Sequence, residues 1–404
     1  MNHLLKYEWK KIVCRRVNLI AMALGLLLIV ISNIALIRNS SLSLNEKTHL
    51  TGLEAIRVQT EAENALTPEL DEEFLTAFLR AYQQTLQAEA TDLNYYQIAP
   101  KSNLYALIAA NFSDWNTDWS WEDLAEIDTE PGLGFYERRM EKIDTLLHAD
   151  YSFGNYTQAE QTYWMQKAQA VPTPFVWGSR ETWNLIWESI CSLIFQLFVL
   201  SICLAPVFSG EVSYRTDALI LSSKHGRKKL IHAKIAAAFL FTLSYLALCA
   251  LIAVGMNVCI LGVEGWNLPV QLWNTIIPYQ LNAAQACGLN LLAILLLSAS
   301  LTAVSLLLSA SCKSQIAVLA IDIALFFGSV FLQSSKGSGL WNHIVCLVPM
   351  HLFDLRTVLK TYIDYPLAGT VISYLGMIWI VYSLVTVVCT CGAGRVFRKY
   401  QVGK

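Results

Sequence analysis

Six runs of mostly apolar residues punctuate this chain, at residues 17–37, 189–209, 235–261, 283–308, 316–332 and 367–391. A helix needs roughly 20 such residues to cross a hydrocarbon core of about 30 Å, so the pattern predicts six transmembrane helices. The first run follows Lys10, Lys11, Arg15 and Arg16 but continues through Ile29, Ile31, Ile34 and Ile37 to Arg38 with no small-x-small cleavage site, as in a retained signal-anchor. Residues 340–359 are too broken by His, Pro, Asp and Arg to span, and are expected as a re-entrant or interfacial segment. Near the N-terminus, Leu4, Leu5, Trp9 and Ile12 share one face of an amphipathic helix expected to lie along the inner leaflet with that face toward lipid.

Between the first two runs, residues 39–183 carry the pattern of amphipathic helices instead. Thr67 reads as an N-cap with Pro68 at the first helical position, followed by Leu70, Phe74, Ala77, Phe78 and Ala81 on one face. A second helix is predicted over 135–148, with Tyr136, Met140, Ile143 and Leu147 aligned. A third covers 157–170, where Thr157 and Glu160 have capping-box spacing and the Pro172 and Pro174 pair forces an exit. The expected fold class is thus an all-α integral membrane protein, six transmembrane helices with a mainly helical extracellular domain between the first and second. That domain is long enough to bury a small core of its own.

Composition agrees, with 55% apolar and only 15% charged residues. Lys and Arg in short loops set orientation. They gather in the N-terminal segment 1–16, in loop 210–234 (Arg215, Lys224, Arg227, Lys228, Lys229, Lys234) and in the tail 392–404, whereas residues 262–282 have none. Both termini are therefore expected in the cytoplasm of a bacterial cell, below helix 17–38, helix 184–209 and the helices within 235–391, with 39–183 outside. This outer segment holds twenty-three Asp and Glu against nine Lys and Arg. Such acidity attracts cationic ligands, or serves only to keep the domain soluble.

Chemistry-bearing patterns are sparse. No GxxxxGK[ST], HExxH or GxSxG motif occurs, so neither catalytic residues nor a nucleotide or metal site are expected on this chain. His343, His351 and Asp354 lack a fourth ligand and read as polar residues of an interfacial helix. Trp115, Trp119 and Trp121 stand among acids, either as a platform for a cationic or amphipathic ligand or as a small core. Asp322, inside the fifth apolar run, and Glu188, near the outer end of the second, are candidates for a translocation path, with a structural hydrogen bond the alternative for Asp322. Trp183 and Trp187 read as an interface belt. All ten cysteines lie outside 39–183.

The loop after the second run, with Glu211, Asp217, the apolar Leu219, Ile220 and Leu221, and then Lys224 to Lys229, has a knob flanked by charges that a soluble partner could grip. A topogenic, lipid-contacting basic patch is the other reading. The order Leu4 to Lys11, Phe208-Ser209-Gly210-Glu211, and Leu219 to Leu230 resembles the permease subunit of type-2 ABC transporters with a large external insertion. Arg215-Thr216 replaces the family's Gly-Thr pair, and Lys224 stands where proline is common. The resemblance implies two permease copies, or a homologous pair, in the membrane and separate cytoplasmic ATPase subunits that bind ATP and Mg. Coupling would run through Glu211, Asp217, Leu219, Ile220, Leu221 and Arg227. It implies export of, or resistance to, a peptide or amphipathic compound, and no nucleic-acid partner. The reading from a different class is a sensory or assembly protein that binds a ligand or partner without transport.

Overall fold

The computed structural model describes residues 3–45, 47–87, 98–214, 229–332, 334, 336–367 and 370–399. The fold is mostly helical. Among the described residues five helices are long and apolar enough to cross a bilayer: Arg16–Asn39, Glu181–Ser213, Lys229–Leu261, Ala283–Ser311 and Tyr374–Lys399. This is the architecture of a multi-pass membrane protein.

Numbering follows the chain. Helix α1 is His3–Val13 and α2 is Arg16–Asn39. The insert that follows contains α3 (Gly52–Asn64), α4 (Glu72–Gln87), α5 (Ser102–Phe112), α6 (Phe135–His148) and α7 (Gln158–Gln169). Then come α8 (Glu181–Ser213), α9 (Lys229–Leu261), α10 (Ala283–Ser311) and α11 (Gln315–Phe327). Two short helices, α12 (Leu340–Val345) and α13 (Leu355–Leu359), precede α14 (Tyr374–Lys399). Helices α8 and α10 form the buried centre of the bundle, and α10 packs along α14. Helix α2 buries Asn18 and Asn33 against the bundle and exposes Leu19, Ile20, Leu24, Leu27 and Ile31, as a helix that faces lipid does.

The run expected as a fifth span is shorter than the sequence promised. α11 has 13 residues, about 20 Å at 1.5 Å per residue. Beyond Phe327 the backbone tightens into a 3₁₀ turn, Gly328–Phe331, where Ser329 Oγ donates to the Phe326 carbonyl at 2.9 Å. The last run also starts later, because 364–367 and 370–373 pair as antiparallel strands before α14. α14 then continues to Lys399 through residues expected as a tail.

Among the described residues, three two-stranded antiparallel ladders qualify the all-α expectation. β1 (Ser41–Ser43) pairs with β2 (His49–Thr51), β3 (Glu69–Leu70) with β4 (Phe175–Val176), and β5 (Asp364–Leu367) with β6 (Thr370–Ser373). The β3 pairing displaces the cap expected at Thr67. Trp177 N donates to the Pro68 carbonyl at 2.8 Å, the chain stays extended, and α4 starts at Glu72 with Asp71 Oδ1 accepting from Phe74 N at 2.7 Å. Its buried face is accordingly Leu75, Leu79 and Tyr82, while Ala77 and Ala81 are exposed. At α7 the capping box forms as its spacing predicted.

The insert does not keep its core to itself. Leu70, Leu75, Leu104, Ile108, Phe135 and Phe175 pack with Leu268 and Leu272, which belong to the connection between α9 and α10. Arg139 reinforces this junction from α6. The residue is 2% exposed, and its guanidinium donates to the carbonyls of Thr275 (2.7 Å), Ala168 (3.2 Å) and Ile277 (3.4 Å).

Candidate functional site

The strongest cluster of charge lies at the end of the bundle away from the insert, at the root of the segment joining α8 to α9. Lys234, one turn into α9, is 2% exposed. Its ammonium donates to Glu8 Oε2 (2.9 Å), Glu211 Oε1 (2.8 Å) and the Val207 carbonyl (3.0 Å). Lys11 lies 3.1 Å from Glu211 and 3.3 Å from Glu8. Two carboxylates and two ammonium groups therefore join α1, the end of α8 and the start of α9. A buried charge is tolerated only when paired and hydrogen-bonded, so these three elements hold each other in register.

The cluster forms because α1 folds against protein. Ile12 and Glu8 are buried, and Leu5, Trp9 and Val13 pack on the core beside α9. This corrects the expectation that Leu5, Trp9 and Ile12 face lipid: an apolar stripe covered by a neighbouring helix has the same periodicity as one laid on a membrane. Arg15 reaches Gln315 Oε1 at 3.1 Å, and Asn18 donates to the Ile12 carbonyl at 2.8 Å, so the turn between α1 and α2 is also fixed. These groups surround a cavity of about 280 Å³ between α1, α8 and α9.

Of the residues expected to couple to a partner, Glu211 is thus at the cluster, while Asp217, Leu219, Ile220, Leu221 and Arg227 lie outside the described residues. Just inside the bundle, Pro206 interrupts α8, and Ser309 of α10 serves the break. Its Oγ accepts from Phe208 N (2.9 Å) and Ser209 N (3.0 Å) and donates to the Ala205 carbonyl (2.6 Å).

The two candidates for a translocation path are far apart in character. Asp322 is fully buried in α11, where its Oδ2 accepts from Ser305 Oγ of α10, a bond between neighbouring helices. Glu188 is half-exposed and pairs with Arg356 at 3.3 Å. Arg356 in turn lies over the rings of Trp187 and Trp273, with centroids 5.0 and 4.8 Å away. Trp187 is no belt residue. It is completely buried and donates to Asp354 Oδ1 at 2.8 Å, whereas Trp183 donates to the Glu264 carbonyl. His343, by contrast, lies between the carbonyls of Gly339 and Asp364.

The tryptophans of the insert divide. Trp115 and Trp119 line a cavity of about 490 Å³ between the insert and the bundle, while Trp121 stands 41% exposed, edge-on to Trp119 at 5.5 Å. Trp119 also packs on the insert core. Sequence reasoning missed Glu8, Lys11 and Arg139 as site residues. The Glu8 and Lys11 spacing of three was the available signal, since it places both on one face of α1. Comparisons with protein-family models, with curated proteins and with solved structures find no match to this chain.

Proposed function

We propose that the chain is the membrane-spanning subunit of an ATP-driven exporter. It works as a pair and is driven by separate ATPase subunits that grip the segment from Glu211 to Lys229 from the cytoplasm. In this arrangement both termini are cytoplasmic and the insert is extracellular. α11 with its 3₁₀ extension serves as the sixth crossing, and ATP and Mg bind on the partner chain. A peptide or amphipathic compound is the cargo class.

One observation carries the reading. The segment a partner would push begins at Glu211 and ends beside Lys234, and those two residues are bonded to each other and to α1. A force on the segment reaches α1, α8 and α9 together, because separating them strands a buried charge at a cost of about 3–5 kcal/mol. A lipid-contacting patch needs no such linkage.

Co-purification in mild detergent with the products of neighbouring genes tests it, comparing the wild type with Leu219→Asp and Leu221→Asp. An ATPase recovered with the wild type and lost from both variants, at unchanged elution volume of the membrane chain, is the expected result. Absence of any ATPase from the wild-type sample would replace the exporter with the sensory or assembly reading.

A further inference from the structure

The cavity of about 490 Å³ between insert and bundle has a chemistry opposite to that of its surroundings. Its walls come from five separate stretches, within 110–119, 142–156, 274–276, 334–337 and 360–363, so it exists only where the insert has docked. Its volume falls in the range of small-molecule sites, about 300–1,000 Å³, and junctions between substructures are where such sites form. One wall is aromatic. Tyr151 meets Trp115 edge-on at 5.5 Å and Tyr156 at 5.7 Å.

The charges are what set it apart. Three ammonium groups face two carboxylates: Lys142, Asp114 and Asp118 come from the insert, whose residues 39–183 carry fourteen more acids than bases, and Lys336 and Lys360 come from the bundle side. Among the described residues none of the three lysines forms an ion pair. Lys142 is buried and donates only to neutral acceptors, the Ala110 carbonyl (2.5 Å) and Ser113 Oγ (3.1 Å); desolvation lowers its pKa to about 8. Lys336 is exposed and sits 4.8 Å over the Trp115 ring. Docking of the acidic insert on the bundle thus gathers three cations in one concave place with no salt bridge to any of them among the described residues.

We infer that this cavity binds an organic anion with a flat apolar body, the anionic group held by Lys336 and Lys360 and the body laid against Trp115 and Tyr151. Charge-assisted hydrogen bonds from the two exposed lysines supply orientation, and the aromatic wall supplies the burial. The inference holds for an exporter and a sensor alike. It also reverses the sign of ligand that the acidity of the insert suggested: the surface field favours cations, but the interior of this site favours anions.

The test uses the full chain in phosphatidylcholine nanodiscs and two fluorescent probes of the same shape, 1-anilinonaphthalene-8-sulfonate and the neutral N-phenyl-1-naphthylamine. Protein-free nanodiscs are subtracted. The sulfonate should bind saturably and more tightly than the neutral probe. The double substitution Lys336→Gln with Lys360→Gln should weaken the sulfonate about tenfold or more and leave the neutral probe unchanged. Trp115→Ala should weaken both probes. Both lysines are exposed, so the double variant should keep the wild-type melting midpoint. Equal affinity of the two probes for the wild type, or unchanged sulfonate affinity in the lysine variant, would overturn the inference.

Discussion

Asp364 illustrates how a single carboxylate fastens the insert to the bundle. It is fully buried at the start of β5, where Oδ1 accepts from the indole N–H of Trp164 in α7 at 2.9 Å. Burial raises its pKa from 3.8 to about 6, against the opposing effect of the Trp164 bond. A carboxyl raised in the fold favours the folded state below its unfolded pKa and loses that advantage as pH rises through the folded one. Between about pH 4 and pH 6, ionisation of Asp364 should therefore erode stability. Asp364→Asn keeps the acceptor for Trp164 and removes the titration. Thermal melting in detergent should find the variant more stable than the wild type at pH 7 and equal to it at pH 4. A gap that stays constant over that range would mean Asp364 is not the titrating group.

Among helices, close approach is decided by small residues and by polar groups that reach across. A Cβ at Gly25 of α2 would lie 2.5 Å from Tyr245 Oη and 2.6 Å from Gln196 Oε1. Those two atoms are themselves bonded at 2.7 Å, and Gln196 Nε2 donates to the Gly25 carbonyl at 3.2 Å. Gly25→Ala should destabilise the chain by about 1–3 kcal/mol through overpacking, and adding Tyr245→Phe should recover part of the loss, read as melting midpoints of the four proteins in a double-mutant cycle. Strictly additive losses would exclude the clash. Nearer the insert, Asn33 of α2, Ser189 of α8 and Asn257 of α9 bond in a triangle at 2.6–2.8 Å, a second three-helix clamp. What the sequence disclosed at this scale follows from range. The Thr157 and Glu160 box was legible because both partners lie within one turn. Thr67 and Asp71 are both competent caps, and the choice fell to a strand more than a hundred residues away. Glu211 stood out by its place after an apolar run. Its partner Lys11, and Glu8, which shares Lys11 and Lys234 with it, did not, because they reach the cluster only after about two hundred residues of chain have folded back.

For the molecule as a whole, the apolarity that marks five of the six expected spans was readable before any contact was known, since a bilayer imposes it segment by segment; the fifth run, which ends its α-helix at Phe327, was not. Whether the insert stands alone was not, because its own length is ample for a core. Arg139 did not stand out, because its acceptors are backbone carbonyls that carry no mark in a sequence. Residues 39–183 expressed by themselves should lack the cooperative melting transition that circular dichroism would detect in a finished domain; a sharp transition would mean Leu268, Leu272 and the Thr275 carbonyl are dispensable. The same dependence bears on how the protein is made. The ribosome completes Arg139 well before it reaches residues 268–277, a delay on the order of 10 s at about 5–20 residues per second. For that interval the insert must wait, with the Arg139 guanidinium holding Ala168 but not yet the carbonyls of Thr275 and Ile277, so this face closes only when the connection between α9 and α10 has been made.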